Sequence, residues 1–250
     1  MISVRIAQEL VKPKQIAQKA KSFNLSTRIA SVESIALGVS DVIPIEMTSA
    51  YATIANEGVY NSPNAISYIE DQHGRVIKRF NSEQMEVVDE NLNYIMLSMM
   101  KDVIDSGTGG SIRWRHKFKS PMAGKTGTTN NNTDAWFIGF SSDLVVGVFV
   151  GFDKPKSLGD KETGSSVSAP IFRKFMSNAL KNKTDIPFRR PSGIKLIKVN
   201  PKTGLMVSSN SKKYILEAFK PGQLPSLTTD LNFQNISKQK NVIKRLSPLY

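Results

Sequence analysis

The chain has 250 residues, 34 Lys and Arg against 21 Asp and Glu, a formal charge of +13, 40% apolar residues and no cysteine. That composition is globular, with enough length to bury about 70–75% of the unfolded surface, and it excludes disulfides and thiol chemistry. Two well-separated histidines, His73 and His116, make no recognisable metal site, and the longest apolar run, Leu144 to Phe152, falls far short of the ~20 residues needed to cross a bilayer.

Met1-Ile2-Ser3 lacks the charged, apolar and cleavage-site order of a signal peptide. Ile2, Ile6 and Leu10 recur at helical spacing until Pro13, and Gln15 to Phe23 reads as a second short helix. Ser34 to Ser40 reads as a loop turning at Gly38. Pro44 opens a helix whose stripe is Met47, Ala50, Tyr51, Ile54 and Ala55, and Gly58 ends it. Ala65 to Asp71 and Arg75 to Phe80 bracket Gln72-His73-Gly74 as a hairpin. Asp89 caps the next helix, with Leu92, Ile95, Met96, Met99 and Val103 as the buried stripe and its methionines as packing residues.

The basic residues are spread along the chain apart from Arg113-Trp114-Arg115-His116-Lys117-Phe118-Lys119. Interleaved aromatics and cations are a feature of single-strand nucleic-acid binders, but no groove-reading fold accompanies them here. The stretch is read as a solvated loop, and a nucleic-acid-binding protein stays the remote alternative. A cationic surface also suits anionic envelope polymers or phospholipid.

Three strands follow. Ala123 to Thr129 leads through a polar turn into Asp134 to Phe140, and Ser141-Ser142-Asp143 leads into Leu144 to Phe152. Period-two alternation puts Lys125, Gly127 and Thr129 on one side of the first strand and Thr126 and Thr128 on the other. A lysine, hydroxyls and a bare glycine in this order suit capture of a carboxylate: charge, hydrogen-bond donors, and room for a ligand backbone. The tripeptide alone is weak evidence, because Lys202-Thr203-Gly204 repeats it after Asn200-Pro201 and reads as a tight turn. Ser168 and Pro170 start a helix with Phe172, Phe175, Met176, Ala179 and Leu180 along one face, suited to the back of the sheet. Asn182 to Ser192 reads as a linker, 193–220 as a small β appendage, and 221–250, without periodicity, as a disordered tail.

The run Pro121 to Asn130 with Ala123-Gly124-Lys125-Thr126-Gly127-Thr128-Thr129, then Asp134-Ala135-Trp136-Phe137-Ile138-Gly139 and Val150-Gly151-Phe152-Asp153, closely resembles the penicillin-binding transpeptidases, most strongly the bifunctional class A type. Ser34 to Gly38, Pro44 to Gly58 and Gly107-Thr108-Gly109 look like family landmarks in family order, and the likeness spans roughly residues 1 to 220. The resemblance implies an α+β fold, the α/β sandwich of the penicillin-binding and serine β-lactamase type. Its antiparallel sheet with packed helices would be incomplete because the N-terminal half is absent, residues 1–181 being the C-terminal half of the domain.

In the family, the serine of Ser-x-x-Lys attacks the penultimate D-alanine carbonyl of a peptidoglycan stem peptide, its lysine assists proton transfer, and Ser-x-Asn stands on the opposite wall. Met1 to Ala7 looks like the segment just after Ser-x-Asn, so two of three motifs are expected to lie outside this chain. Ser209-Asn210-Ser211-Lys212 and Ser237-Lys238-Gln239-Lys240 fit Ser-x-x-Lys, and Ser22-Phe23-Asn24, Ser62-Pro63-Asn64 and Ser208-Ser209-Asn210 fit Ser-x-Asn. Such short patterns arise readily in this composition, and none opens a buried helix ahead of Lys125.

The resemblance thus implies substrate-binding roles for Lys125, Thr126, Gly127 and Thr128. Lys125, Thr126 and Thr128 would hold the carboxylate of a D-Ala-D-Ala peptide or a β-lactam, and Gly127 would keep the wall open. The Thr128 N–H would be half of the oxyanion hole. Trp136 and Trp114 are read as core or loop packing. It implies no catalytic nucleophile in this chain, no metal and no cofactor. The partners would be the stem peptide and β-lactams, at the periplasmic face of the inner membrane; the alternative is a non-catalytic structural half that complements a separately made N-terminal half, to which the glycosyltransferase and membrane anchor would belong.

Overall fold

The structure, a computed structural model, describes residues 2–114 and 119–226. Prolines set the first helix starts. α1 (Ile2–Glu9) stops before Pro13, and α2 (Pro13–Ser22) and α3 (Pro44–Ala55) both begin on a proline, whose missing N–H costs nothing in a first turn. Between them Glu33–Leu37 forms a 3-10 turn that Gly38 ends at φ +79°. α3 buries Ala50 as its pattern requires, but also Ser49 and Thr53. Their hydroxyls are satisfied within the helix, Ser49 donating to the Ile45 carbonyl and Thr53 to that of Ser49.

Gly58, at φ +95°, lets the chain pass so close to Val88 that a Cβ would lie 2.0 Å from the Val88 carbonyl oxygen. β1 (Val59–Asn61) follows at once. The hairpin read around Gln72-His73-Gly74 is present as β2 (Tyr68–Glu70) and β3 (Val76–Arg79). Asp71 organises its turn by accepting from the N–H groups of His73 and Arg75. β4 (Gln84–Glu86) then pairs antiparallel with β1.

Asp89 caps α4 (Glu90–Asp105), its carboxylate accepting from the Leu92 N–H at 3.1 Å. The stripe expected on this helix is not the buried one. Asn93, Tyr94, Leu97, Met100 and Ile104 face the core, while Leu92, Met96 and Met99 are about half exposed. The apolar arc of the helix is wider than one stripe, running from Leu92, Met96 and Met99 through Met100 to Leu97 and Ile104, and the pattern alone cannot choose between two overlapping stripes. The basic stretch after it also begins differently from a loop. α5 (Ser111–Trp114) buries Ile112, and Arg113 donates to Asp105 at 2.8 Å and to the Ser120 carbonyl at 2.6 Å. Residues 115–118 of that stretch lie outside the described residues.

β5 (Ala123–Thr128), β6 (Asp134–Phe140) and β7 (Val145–Gly151) form an antiparallel sheet in that order. A π-helical turn at Gly164–Ser168 leads into α6 (Ala169–Ala179), which crosses one face of the sheet. Phe137 and Phe172 meet there with ring centroids 4.8 Å apart, joined in the core by Ile104, Ile112, Met122, Ala169 and Met176. Ser168 fastens the helix start to the sheet by donating to the Ala135 carbonyl. Phe175, expected on the buried face, is half exposed instead. α3 covers part of the other face, where Gly147 makes room for Thr48.

The chain divides into two compact units, Met1–Arg189 and Arg190–Tyr250. Residues 182–189 have no regular structure but are fastened to the first unit. Ser142 donates to the Ile186 carbonyl, Phe188 meets Phe140 edge-on, and Arg189 bridges Glu57 after α3 and Glu90 of α4. The second unit holds the hairpin-like pair β8 (Lys195–Val199) and β9 (Ile215–Phe219). Most of the tail read as disordered, 227–250, lies outside the described residues, while Ser226 accepts a backbone bond from Met206.

Candidate functional site

β5 carries the residues read as a carboxylate grip. Its register against β6 sets Lys125 opposite Ile138, Thr126 opposite Phe137, Gly127 opposite Trp136 and Thr128 opposite Ala135. The other edge of β5 has no strand partner among the described residues. Two glycines sit in tight surroundings here. A Cβ on Gly124 would lie 2.9 Å from the Ile138 carbonyl, and one on Gly127 would press 3.1 Å from the Trp136 Cβ.

Lys125 and Gly127 face one way. The lysine side chain reaches solvent, yet its Nζ folds back to donate to the Thr126 carbonyl at 2.8 Å. Among the described residues no carboxylate lies within ion-pair distance of it. Partial burial of the ammonium lowers its pKa below the ordinary lysine value. An approaching carboxylate would therefore find a cation already relieved of some water and not neutralised. On the same face Trp136, half-buried, lies against Phe149 with centroids 4.8 Å apart. Residue 114 is at the end of α5, and its side chain is outside the described atoms.

Thr126 and Thr128 face the other way, toward two loops that the residue pattern did not assign to the site. Thr126 and Thr108 share a hydrogen bond between hydroxyls at 2.9 Å, and the Thr108 carbonyl accepts from Ser165 at 2.6 Å. The Thr128 hydroxyl oxygen accepts from the Gly164 N–H at 3.1 Å. This bond occupies an oxygen lone pair and leaves the Thr128 hydroxyl proton available to donate outward, the polarity a carboxylate needs. Gly164 is bare because a Cβ there would lie 2.2 Å from the Trp136 carbonyl and 2.5 Å from that of Gly127. Thr108 was visible in sequence only as a landmark in Gly107-Thr108-Gly109. Gly164 and Ser165 gave no signal, since their roles come from contacts 36 and 57 residues away.

The short motif candidates fare differently. Lys202-Thr203-Gly204 is a turn, with the Asn200 side chain accepting from the Lys202 N–H and Gly204 at φ +70°. Ser209 and Lys212 are exposed and in no helix, and Ser237 lies outside the described residues. Among the described residues no group of His, Asp or Glu could hold a metal. No described helix is long and apolar enough to cross a membrane.

A family model for the penicillin-binding protein transpeptidase domain matches residues 9–177. The chain belongs to the penicillin-binding protein transpeptidase family. The penicillin-binding protein 1A of Rickettsia prowazekii (strain Madrid E) is 36% identical over 94% of the chain and 32% of its own length. That of Pseudomonas aeruginosa is 30% identical over 92% of the chain and 34% of its own length. Among solved structures, penicillin-binding protein 1A from Haemophilus influenzae superposes with a TM-score of 0.81 at 26% identity, covering 90% of this chain and 39% of that one. The chain therefore corresponds to part of a penicillin-binding protein 1A-type transpeptidase, spanning about a third of the curated relatives it matches. Its α+β fold, helices packed on a small antiparallel sheet, is that of the transpeptidase domain, incomplete in these residues.

Proposed function

We propose that this chain forms the carboxylate-binding wall of a peptidoglycan D,D-transpeptidase and that the nucleophile comes from polypeptide outside these residues. The observation that carries the reading is Lys125 beside Gly127, with no carboxylate in ion-pair reach among the described residues, and the Thr128 hydroxyl oxygen accepting from Gly164 so that its proton is left to donate. In this reading the terminal carboxylate of a D-Ala-D-Ala stem peptide or of a β-lactam lies along the edge of β5 that has no strand partner among the described residues, where Lys125 reaches it from one face and Thr126 and Thr128 from the other. The Thr128 N–H is one oxyanion donor, and the attacking serine of Ser-x-x-Lys brings the other. Removing the nucleophile of a serine hydrolase lowers turnover about a million-fold, so these residues bind and stabilise charge without turning over by themselves.

The exposed face of α4 supports a missing partner. Leu92, Met96 and Met99 form a half-exposed apolar stripe at i, i+4 and i+7 beside the buried face, and an apolar stripe of this kind is ordinarily covered. The covering element in this reading is the half of the domain that carries Ser-x-x-Lys and Ser-x-Asn, joined to it or made separately, with the site on the periplasmic face of the inner membrane. Fluorescent penicillin tests it. A covalent adduct should form when an upstream half bearing Ser-x-x-Lys is mixed with the chain, and not with the chain alone. Labelling of the isolated chain, or failure of Lys125→Ala to weaken labelling of the mixture, would overturn the reading.

A further inference from the structure

The cations are spread along the sequence, but the acids are not. Arg190–Tyr250 holds eleven Lys and Arg against Glu217 and Asp230, so the second unit carries +9 of the chain's +13. The first unit, three times longer, is left with only +4. This excess lies beyond residues 9–177, the span the transpeptidase model accounts for.

The register of β8 and β9 adds a second feature. Pairing Leu196 with Ala218 and Lys198 with Leu216 puts these residues on one face of the ribbon by period-two alternation. Leu196 and Leu216 are 38% and 54% exposed, against an expectation that a two-stranded ribbon hides its apolar side. Tyr214, 40% exposed, shares that face, since the Lys198 ammonium stands 4.3 Å over its ring. Lys212 and Lys213, just before Tyr214, and Lys195, on the opposite face at the start of β8, are exposed at the margins of the ribbon.

We infer that this ribbon is a membrane-docking surface for bilayers containing anionic phospholipid. Lys198 among exposed leucines and a tyrosine, with further lysines at the ribbon's margins, matches the headgroup boundary, where charge meets phosphate and apolar side chains reach the acyl layer. A soluble polyanion would use the charge and leave the leucines unexplained. A single-stranded nucleic acid would call for several stacking aromatics, and Tyr214 is the one aromatic exposed on this face among the described residues.

The test is vesicle flotation of the full chain, with phosphatidylcholine alone or mixed with phosphatidylglycerol. The chain should float with the mixed vesicles at low salt and not with phosphatidylcholine. The triple variant Lys195→Gln, Lys212→Gln, Lys213→Gln should bind at least tenfold more weakly, given about fivefold per lysine near an anionic surface. The variant Leu196→Ser, Leu216→Ser should still bind at low salt and lose the binding that persists at high salt. Circular dichroism checks that each variant keeps the parent fold, and the lysine variant decides if the leucine variant does not. Equal flotation with phosphatidylcholine, a lysine variant indistinguishable from the parent, or polyglutamate displacing the vesicles at equal charge concentration would each overturn the inference. Penicillin labelling plays no part in this readout, so it stands or falls apart from the transpeptidase reading.

Discussion

Lys-Thr-Gly occurs twice in this protein and does two different things. At 125–127 it runs through β5, paired along its length with β6 and braced from behind by Thr108 and Gly164. At 202–204 it closes a turn on Asn200, and a Cβ added to Gly204 would meet nothing within 4 Å. The residues are the same, so what separates a candidate grip from a corner is what stands around them. Asn200-Pro201 bends the second copy, while small residues before the first and aromatic strands after it draw it into a sheet.

The strongest way to break this contrast is at the brace. Gly164→Ala would drive a methyl into two backbone carbonyls that cannot move without parting β5 from β6. It should cost the first unit about 3 kcal/mol or more, seen as a lower thermal midpoint. Gly204→Ala pays only for its left-handed backbone, about 1 kcal/mol. Comparable losses would mean that the first copy is no more embedded than the second.

Next comes function. With the upstream half supplied, Lys125→Ala should slow fluorescent-penicillin labelling by about 10- to 100-fold, the worth of one charge-assisted bond of 1.5–3 kcal/mol. Lys202→Ala should leave it unchanged. A third contrast lies within α4. Met96→Glu with Met99→Glu should reduce binding of a hydrophobic dye and self-association, and should change stability by no more than about 0.5 kcal/mol because both side chains are half exposed. The equivalent change at buried Met100 should unfold the unit.

The smallest effect is a pH dependence belonging to the first unit. Hydrogen bonding to Arg189 holds the Glu57 carboxyl below its ordinary value, against an opposing contribution from burial. Because the folded pKa is the lower one, this stability is present above the ordinary value near 4.5 and drains away as pH falls through the folded one. Arg189→Ala should lower the melting midpoint slightly at neutral pH, by a few tenths of a kcal/mol for so exposed a pair, and the gap should close in acid.

Much of the architecture was legible because it is local. Pro44 starts α3, Asp89 caps α4, Gln72-His73-Gly74 turns the β2–β3 hairpin, and alternation in β5 separates Lys125 and Gly127 from Thr126 and Thr128. The misread faces share one cause. On α4 and α6 apolar residues outnumber one stripe, and periodicity says that a face is apolar without saying what covers it.

The amino-acid order by itself determined where α3, α4 and α6 start, the hairpin turn, the three central strands and which residues of β5 face together, since each depends on neighbours a few positions away. Tertiary structure decided that Leu97 and Met100 are buried while Met96 and Met99 are not, that Thr108 and Gly164 stand behind the grip, and that nine of thirteen net charges fall in one unit. Those depend on contacts between distant segments and on where the chain divides, and a one-dimensional pattern holds no measure of either.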